Sequence, residues 1–126
     1  MSLDIYITKP DKEIILHQCP HCGHTHEYSS YPQIDWFNIT HNLGRMAAAA
    51  GVYDCVWRPE EHGIEICQQM IKPLMKGLLK LTCYPNEFTQ YNPENGCGSY
   101  DGFVEVLKKY LTICEDNPTA KIKVCR

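Results

Sequence analysis

The sequence lacks several features that would place it in a broad functional class. It contains no apolar run of about 18 residues, so we expect no membrane-spanning helix. It has no excess of basic residues: the formal charge is −3 and the pI is near 6.0, which argues against general nucleic-acid binding. Residues 1–4 lack the basic and apolar regions of a signal peptide. We therefore expect a cytoplasmic protein without a membrane partner.

Motifs of common catalytic sites are also missing. No Gly-Lys-Ser/Thr sequence is present to close a phosphate-binding loop. Near residues 38–51, the strongest helix-forming stretch, there is also no pair of carboxylates or of histidines of the kind that binds metal in a metal-dependent hydrolase. The chain has 126 residues, of which 44% are hydrophobic, enough for one domain with a single core. Within this domain we separate a strand and knuckle portion, residues 1–34, from a helical core and closing strand, residues 35–126.

Alternating hydrophobicity predicts a small, mostly antiparallel sheet. Residues 3–8 alternate apolar and polar side chains, and residues 13–17 form a second apolar run of strand length. We expect these two runs to be neighbouring strands or a hairpin, and residues 27–35 to be a polar connection. The alternating segment 121–126 would join the N-terminal strands, which gives an α+β fold.

The best helix-forming stretch is residues 38–51. Its four consecutive alanines have the highest helix propensity, and Thr40 or Asn38 can cap the first turn. Gly51 suits the left-handed residue that ends a helix. We expect this helix to be central to the molecule.

Two further helices are predicted to cover the sheet. Residues 64–81 and 100–115 place apolar side chains at the three-then-four spacing of one helix face. Pro73 is expected to kink or split the first of them. Ser99 can cap the second, and Pro59 can open a short helical turn between the central helix and residue 64.

A set of polar and aromatic residues is predicted to form a ligand site. Three of these residues follow the start of the central helix, where free amides and the helix dipole favour an anion. Two residues form an Arg-Trp recognition pair, and the last two residues flank a glycine-rich loop. The set is His41, Asn42, Arg45, Trp57, Arg58, Asn95 and Tyr100. The alternatives are helix capping, burial of the histidine, and an arginine that ties a loop to a carboxylate. On the ligand hypothesis, Arg58→Ala should abolish binding.

A Cys-x-x-Cys-Gly segment predicts a metal knuckle. Cys19 and Cys22 have the spacing at which two thiolates bind one ion, and Gly23 permits the tight turn. His24 and His26 are the candidates for further ligands, although a fourth ligand is not obvious and a second CxxC is missing. We expect structural zinc, and the alternative is an inert or disulfide-forming pair. For all eight cysteines, thiols plus one metal site fit better than a disulfide framework.

Three further motifs carry a resemblance. Residues 38–47 read NITHNLGRMA, residues 57–61 read WRPEE, and residues 92–100 read NPENGCGSY. From about residue 35 onward the chain resembles a family of small phage and bacterial proteins, in which a CxxC-like knuckle often precedes the shared region. That family carries Trp between the two glycines where this chain has Cys97, so a stacking role does not carry over. The resemblance implies a phage or prophage setting and a bacterial cytoplasm, and implies no reaction.

These observations lead to one preferred function and two alternatives. The preferred function is a phage or prophage accessory protein that binds a small anionic, nucleotide-like ligand, with counter-defence as one role that such binding would serve. The first alternative is a metal-assisted hydrolase or nuclease with His41 as its base. The second is a zinc-stabilised module that binds a host protein through an exposed apolar patch. Whether the chain forms a homo-oligomer stays open.

Overall fold

The computed structural model describes all 126 residues and confirms the α+β class, with five strands in two antiparallel sheets and five helices. The strands are β1 (Ser2–Thr8), β2 (Glu13–Gln18), β3 (Thr25–Ser30), β4 (Gln33–Thr40) and β5 (Lys121–Cys125). The helices are α1 (Gly44–Ala50), α2 (Tyr53–Trp57), α3 (Cys67–Cys83), α4 (Pro85–Thr89) and α5 (Tyr100–Asp116). Short 3₁₀ turns cover His41–Leu43 and Pro59–His62. None of the helices combines the length and apolarity that crossing a membrane requires.

The main sheet has the strand order β4-β1-β5, and both pairings are antiparallel. β1 lies at the centre because its alternating pattern supplies one fully apolar face, where Leu3, Ile5 and Ile7 are completely buried. Ile5 is paired with Phe37 of β4 on one side and Val124 of β5 on the other. The prediction that the C-terminal strand joins the N-terminal strands is confirmed, and its partner among them is β1.

The predicted pairing of the first two strand segments is wrong. β2 pairs with β3, with His17 opposite His26, and it makes no ladder with β1. The predicted polar connection at residues 27–35 instead contains the end of β3 and the start of β4. Apolar periodicity does not detect β3, because its strand conformation comes from backbone pairing with β2 and all but one of its side chains are exposed.

The central helix is shorter than predicted, although both of its signals are confirmed. Residues up to Thr40 belong to β4, because they alternate buried and exposed side chains and pair with β1. The Thr40 Oγ1 accepts a hydrogen bond from the Asn42 amide at 3.3 Å and so caps the 3₁₀ turn. The α-helix then begins at Gly44 and ends at Ala50, and Gly51 follows it with a φ of 77°.

The two long helices pack against each other and cover the sheet. α3 contributes Met70, Leu74 and Leu81 to the core, and α5 contributes the Tyr110 ring, which stacks on Phe37 of β4 at 5.3 Å between centroids. The predicted split at the proline does not occur, since α3 runs through it as one helix of 17 residues. The core therefore lies between one sheet face and these two helices.

The β2–β3 hairpin lies outside this core. Every side chain of β2 is exposed, and Ile14 and Leu16 are each 67% exposed on the same face of the hairpin. None of the hairpin residues belongs to the core cluster. The tip of the hairpin, between β2 and β3, carries the Cys19-x-x-Cys22 segment.

Candidate functional site

The seven residues predicted to bind a ligand do not lie in one pocket. Asn42, Arg45 and Asn95 line a polar cleft. The other four have hydrogen-bonding or packing partners elsewhere in the chain. The cleft is therefore built from fewer predicted residues than expected, together with neighbours that were not predicted.

The cleft separates the start of α1 from the loop that follows α4. It encloses about 520 Å³, which is within the size range of small-molecule sites. Its lining consists of Asn42, Arg45, Gln90, Tyr91, Asn92, Pro93, Glu94 and Asn95. Amide, charged and aromatic side chains predominate, so the cleft suits a polar ligand better than an apolar one.

Hydrogen bonds within residues 92–100 give the loop wall a defined shape. Asn92 accepts a bond from the Tyr100 amide at 2.7 Å, and Asn95 Oδ1 accepts one from the Cys97 amide at 3.0 Å. Asn42 Nδ2 donates to the Cys97 carbonyl at 3.4 Å, which links the loop to the opposite wall. These bonds use the Asn95 oxygen and leave its side-chain nitrogen available as a donor.

Gly98 packs closely against the turn that precedes α1. Its φ of 103° is strained for any residue with a side chain, and a Cβ there would lie 2.8 Å from Thr40 Cγ2 and 3.1 Å from Leu43 Cγ. The loop backbone therefore rests directly on the turn that precedes α1. The sequence predicted backbone freedom at this glycine but not the surface against which it packs.

Arg45 differs from the other two arginines of the chain in its partners. Arg58 pairs with Glu61 at 3.0 Å, and Arg126 pairs with Glu60. Arg45 has no carboxylate within ion-pair distance, although it is exposed on the cleft. The cleft therefore presents one guanidinium whose donors are not taken up by an ion pair in the chain.

His41 is the hydrogen-bond partner of a buried tryptophan. Trp57 is 1% exposed, and its Nε1 donates to His41 Nδ1 at 3.0 Å. The neutral imidazole must then carry its proton on Nε2, so neither ring nitrogen keeps a free lone pair. This arrangement does not favour His41 as a general base. The Trp57 ring stacks on Tyr53 at 5.3 Å and is not accessible for ligand stacking.

The remaining two predicted residues connect elements of the fold. Hydrogen bonding to Tyr53, followed by the charge and hydrogen bond of Glu61, raises the pKa of Arg58 above its ordinary value. The pairing of Arg58 with Glu61 corresponds to the alternative interpretation of Arg58, in which an arginine ties a loop to a carboxylate. The Tyr100 hydroxyl donates to the Leu81 carbonyl at 2.7 Å, which joins the start of α5 to α3, and desolvation raises the pKa of Tyr100.

The CxxC segment adopts a tight turn at the tip of the hairpin. The Gly23 amide donates to the Cys19 carbonyl at 2.9 Å, and the Cys19 amide donates to the His24 carbonyl at 2.8 Å. Gly23 has a φ of 70°, as expected for the turn. Hydrogen bonds from the backbone at Cys22 and His21 lower the pKa of the Cys19 thiol. The two cysteines thus lie together on one tight turn, while binding of zinc stays a prediction.

The two predicted histidine ligands do not complete that site within the chain. The rings of His24 and His26 pack edge to face, with 5.0 Å between their centroids. No group of three or more His, Cys, Asp or Glu side chains is arranged to hold a metal ion. The four predicted ligands therefore do not converge on one point.

The other cysteines are thiols without a metal-binding arrangement. All eight side chains are free of disulfides. Burial raises the pKa of Cys55 to about 12, and a hydrogen bond with Cys67 together with burial raises the pKa of Cys114. These buried thiols behave as small apolar residues of the core.

Five residues of the cleft were not among the predicted ligand residues: Gln90, Tyr91, Asn92, Pro93 and Glu94. The signals that pointed toward them were their closeness to Asn95 along the chain and, for residues 92–94, the motif at residues 92–100.

Comparison of this chain with protein-family models, curated proteins and solved structures finds no match among any of the three.

Proposed function

We propose that the protein binds a small anionic, nucleotide-like ligand in the polar cleft between α1 and the loop of residues 90–95. The observation that carries this proposal is Arg45, which faces the cleft without a carboxylate partner. A guanidinium forms strong paired hydrogen bonds with phosphate or carboxylate groups. A ligand anion would supply the partner that Arg45 lacks within the chain.

Other lining residues support a ligand that has neutral polar groups as well as an anion. Asn42 and Asn95 offer side-chain amides, and half-buried Tyr91 offers an aromatic surface. Glu94 lines the same cleft and would repel a bare inorganic anion, but it can accept hydrogen bonds from hydroxyl or amino groups. This combination favours a nucleotide over inorganic phosphate.

The biological setting is proposed from the motif resemblance alone. The shared motifs include both walls of the cleft, since they cover residues 38–47 and 92–100. On this basis the protein would act as a phage or prophage accessory protein in the bacterial cytoplasm. Sequestering a nucleotide-like molecule would be one means of countering a host defence.

Calorimetry with a matched set of probes tests the ligand proposal. Adenosine monophosphate should bind, while adenosine and inorganic phosphate should bind more weakly. Arg45→Gln should weaken binding about 10- to 150-fold, because a hydrogen bond to a charged group contributes about 1.5–3 kcal/mol. Arg58→Gln is the matched control and should bind normally, since Arg58 lies outside the cleft.

Two results would contradict the proposal: no binding of the nucleotide, or equal affinity of the Arg45→Gln variant and the wild type. Mass spectrometry of the native protein, followed by denaturation, would show any small molecule that it carries from cells. An intact anionic molecule released in this way would identify the ligand and would argue against turnover.

A second candidate function, a zinc-stabilised module that binds a host protein, has support from the hairpin. Ile14 and Leu16 lie on one face of it, and each is 67% exposed. A photo-crosslinking residue at Leu16 should then capture one discrete protein in bacterial cells. The control is Leu79 of α3, which is similarly exposed at 64%. Identical capture patterns from the two positions would reject this function.

A further inference from the structure

The tip of the β2–β3 hairpin presents an incomplete metal site. Cys19 and Cys22 lie close together on a tight turn, which is closed by hydrogen bonds from the Gly23 amide to the Cys19 carbonyl and from the Cys19 amide to the His24 carbonyl. Two cysteines at this spacing can bind one ion through both sulfurs. The turn is therefore shaped to supply two thiolate ligands to one ion.

The chain does not supply the other two ligands of a closed site. Structural zinc is four-coordinate, and no third His, Cys, Asp or Glu of the chain is arranged to join the pair. His24 and His26, the sequence candidates, pack against each other. Ligands from outside the chain would complete a four-coordinate site on this pair.

The position of the tip makes it accessible to another molecule. The hairpin pairs only with itself, every residue of β2 is exposed, and no hairpin residue belongs to the core. A second copy can therefore approach the two sulfurs without displacing any packed element. A two-fold axis through the ion would bring an identical pair of cysteines to its opposite side.

We propose that Cys19 and Cys22 bind one zinc ion together with the same two cysteines of a second copy of this chain. The ion is coordinated by four sulfurs in a tetrahedral arrangement, and the four thiols release their protons as zinc binds. This site links two hairpin tips and leaves the polar cleft of each copy free. It does not depend on the proposed ligand.

Zinc titration of the reduced, metal-free protein, followed by native mass spectrometry, tests this site. We expect a dimer that contains one zinc ion for two chains and that dissociates when zinc is chelated. The Cys19→Ser, Cys22→Ser double variant should stay monomeric and metal-free. The control is Cys83→Ser, Cys97→Ser, which alters exposed cysteines elsewhere and should behave as the wild type. Thermal unfolding of the metal-free proteins should be the same for the wild type and both variants, because these side chains lie outside the core.

Substitution of the histidines and replacement of the metal distinguish the alternatives. His24→Gln, His26→Gln should still form the zinc-linked dimer, and cobalt in place of zinc should give the absorption of a four-thiolate site. One zinc ion per monomer, lost in this histidine variant, would overturn the proposal in favour of a site within one chain. Absence of zinc uptake, or a dimer that resists chelation, would also overturn it.

Discussion

The hydrogen bond between Trp57 and His41 can be tested by removing only its acceptor. In His41→Leu the side chain keeps its approximate size but offers no atom to the Trp57 Nε1–H, which donates at 3.0 Å in the wild type. Since Trp57 is 1% exposed, water cannot readily replace the lost partner. A buried donor left without an acceptor costs about 1–3 kcal/mol. For 126 residues this lowers the melting temperature by about 4–11 °C.

His41→Asn is the matched control, because its Oδ1 occupies nearly the same place as the imidazole Nδ1 and can accept the same bond. Urea unfolding should therefore show His41→Asn to be more stable than His41→Leu by most of that amount. In a Trp57→Phe background the donor is absent, so the difference between Leu and Asn at position 41 should nearly vanish. The coupling energy from this double-mutant cycle is expected to be about 1 kcal/mol.

Equal unfolding free energies of the Leu and Asn variants would refute this reasoning. So would a coupling energy near zero, since either result would show that the bond contributes nothing to the folded state. A stable Leu variant that had lost ligand binding or turnover would instead assign His41 to the functional site. The experiment therefore separates the structural role of His41 from the proposed catalytic one.

Two further predictions concern the loop wall of the cleft and an ion pair. Gly98→Ala should lower the unfolding free energy by more than Gly96→Ala. Both glycines have a positive φ, which costs an alanine about 1–3 kcal/mol, but only the Cβ at position 98 would collide with Thr40. Equal losses of unfolding free energy in urea would contradict the close packing at Gly98. The hydrogen bond from Arg126 lowers the pKa of Glu60 from its ordinary value near 4.5. A carboxyl group whose pKa is lower in the folded than in the unfolded protein stabilises the folded state at pH values above its unfolded-state pKa. This stabilisation is lost as the pH falls through the folded-state pKa. The stability advantage of the wild type over Glu60→Gln should therefore shrink below about pH 4.5, and a pH-independent difference would reject the ion pair.

Elements with a buried face could be predicted from the sequence because burial produces periodicity. The alternation in β1 and the helical spacing in α5 each reflect one apolar face against the core. The caps followed from local chemistry: the Thr40 and Ser99 hydroxyls both accept bonds from amides of the turn that they begin. Such signals need only a few consecutive residues, so the correct elements were found without knowledge of their partners.

The partner of β2 could not be predicted, because periodicity does not specify which strand pairs with which. Residues 13–18 have the apolar composition of a core strand, yet the structure leaves all of them exposed in β2. Their partner β3 has no apolar face, and its backbone hydrogen bonds with β2 are independent of side-chain pattern. β2 therefore has the composition of a core strand but makes no contact with the core.

Residue types that favour ligand binding are also the types that satisfy hydrogen bonds inside a fold. His41, Arg58 and Tyr100 were reasonable ligand candidates from the sequence, but each has a partner within the chain: Trp57, Glu61 and the Leu81 carbonyl. Sequence spacing cannot distinguish these two uses, because the partners are 16, 3 and 19 residues away.

The groups that lack such a partner are the stronger basis for assigning sites. Arg45 lines a cleft without an ion pair, and Cys19 and Cys22 form a turn suited to zinc without two further ligands. Water can solvate an exposed charge, so the lack of an ion pair at Arg45 does not by itself indicate a binding site. The assignment also depends on the concave, polar surroundings of Arg45, which would exclude bulk water around a ligand. The thiol pair is better supported by its position, since a tight turn holds Cys19 and Cys22 together at the tip of a hairpin that lies outside the core. In both cases the inference depends on unfilled bonding capacity combined with a built environment, and the two sites can be tested separately because they share no residue.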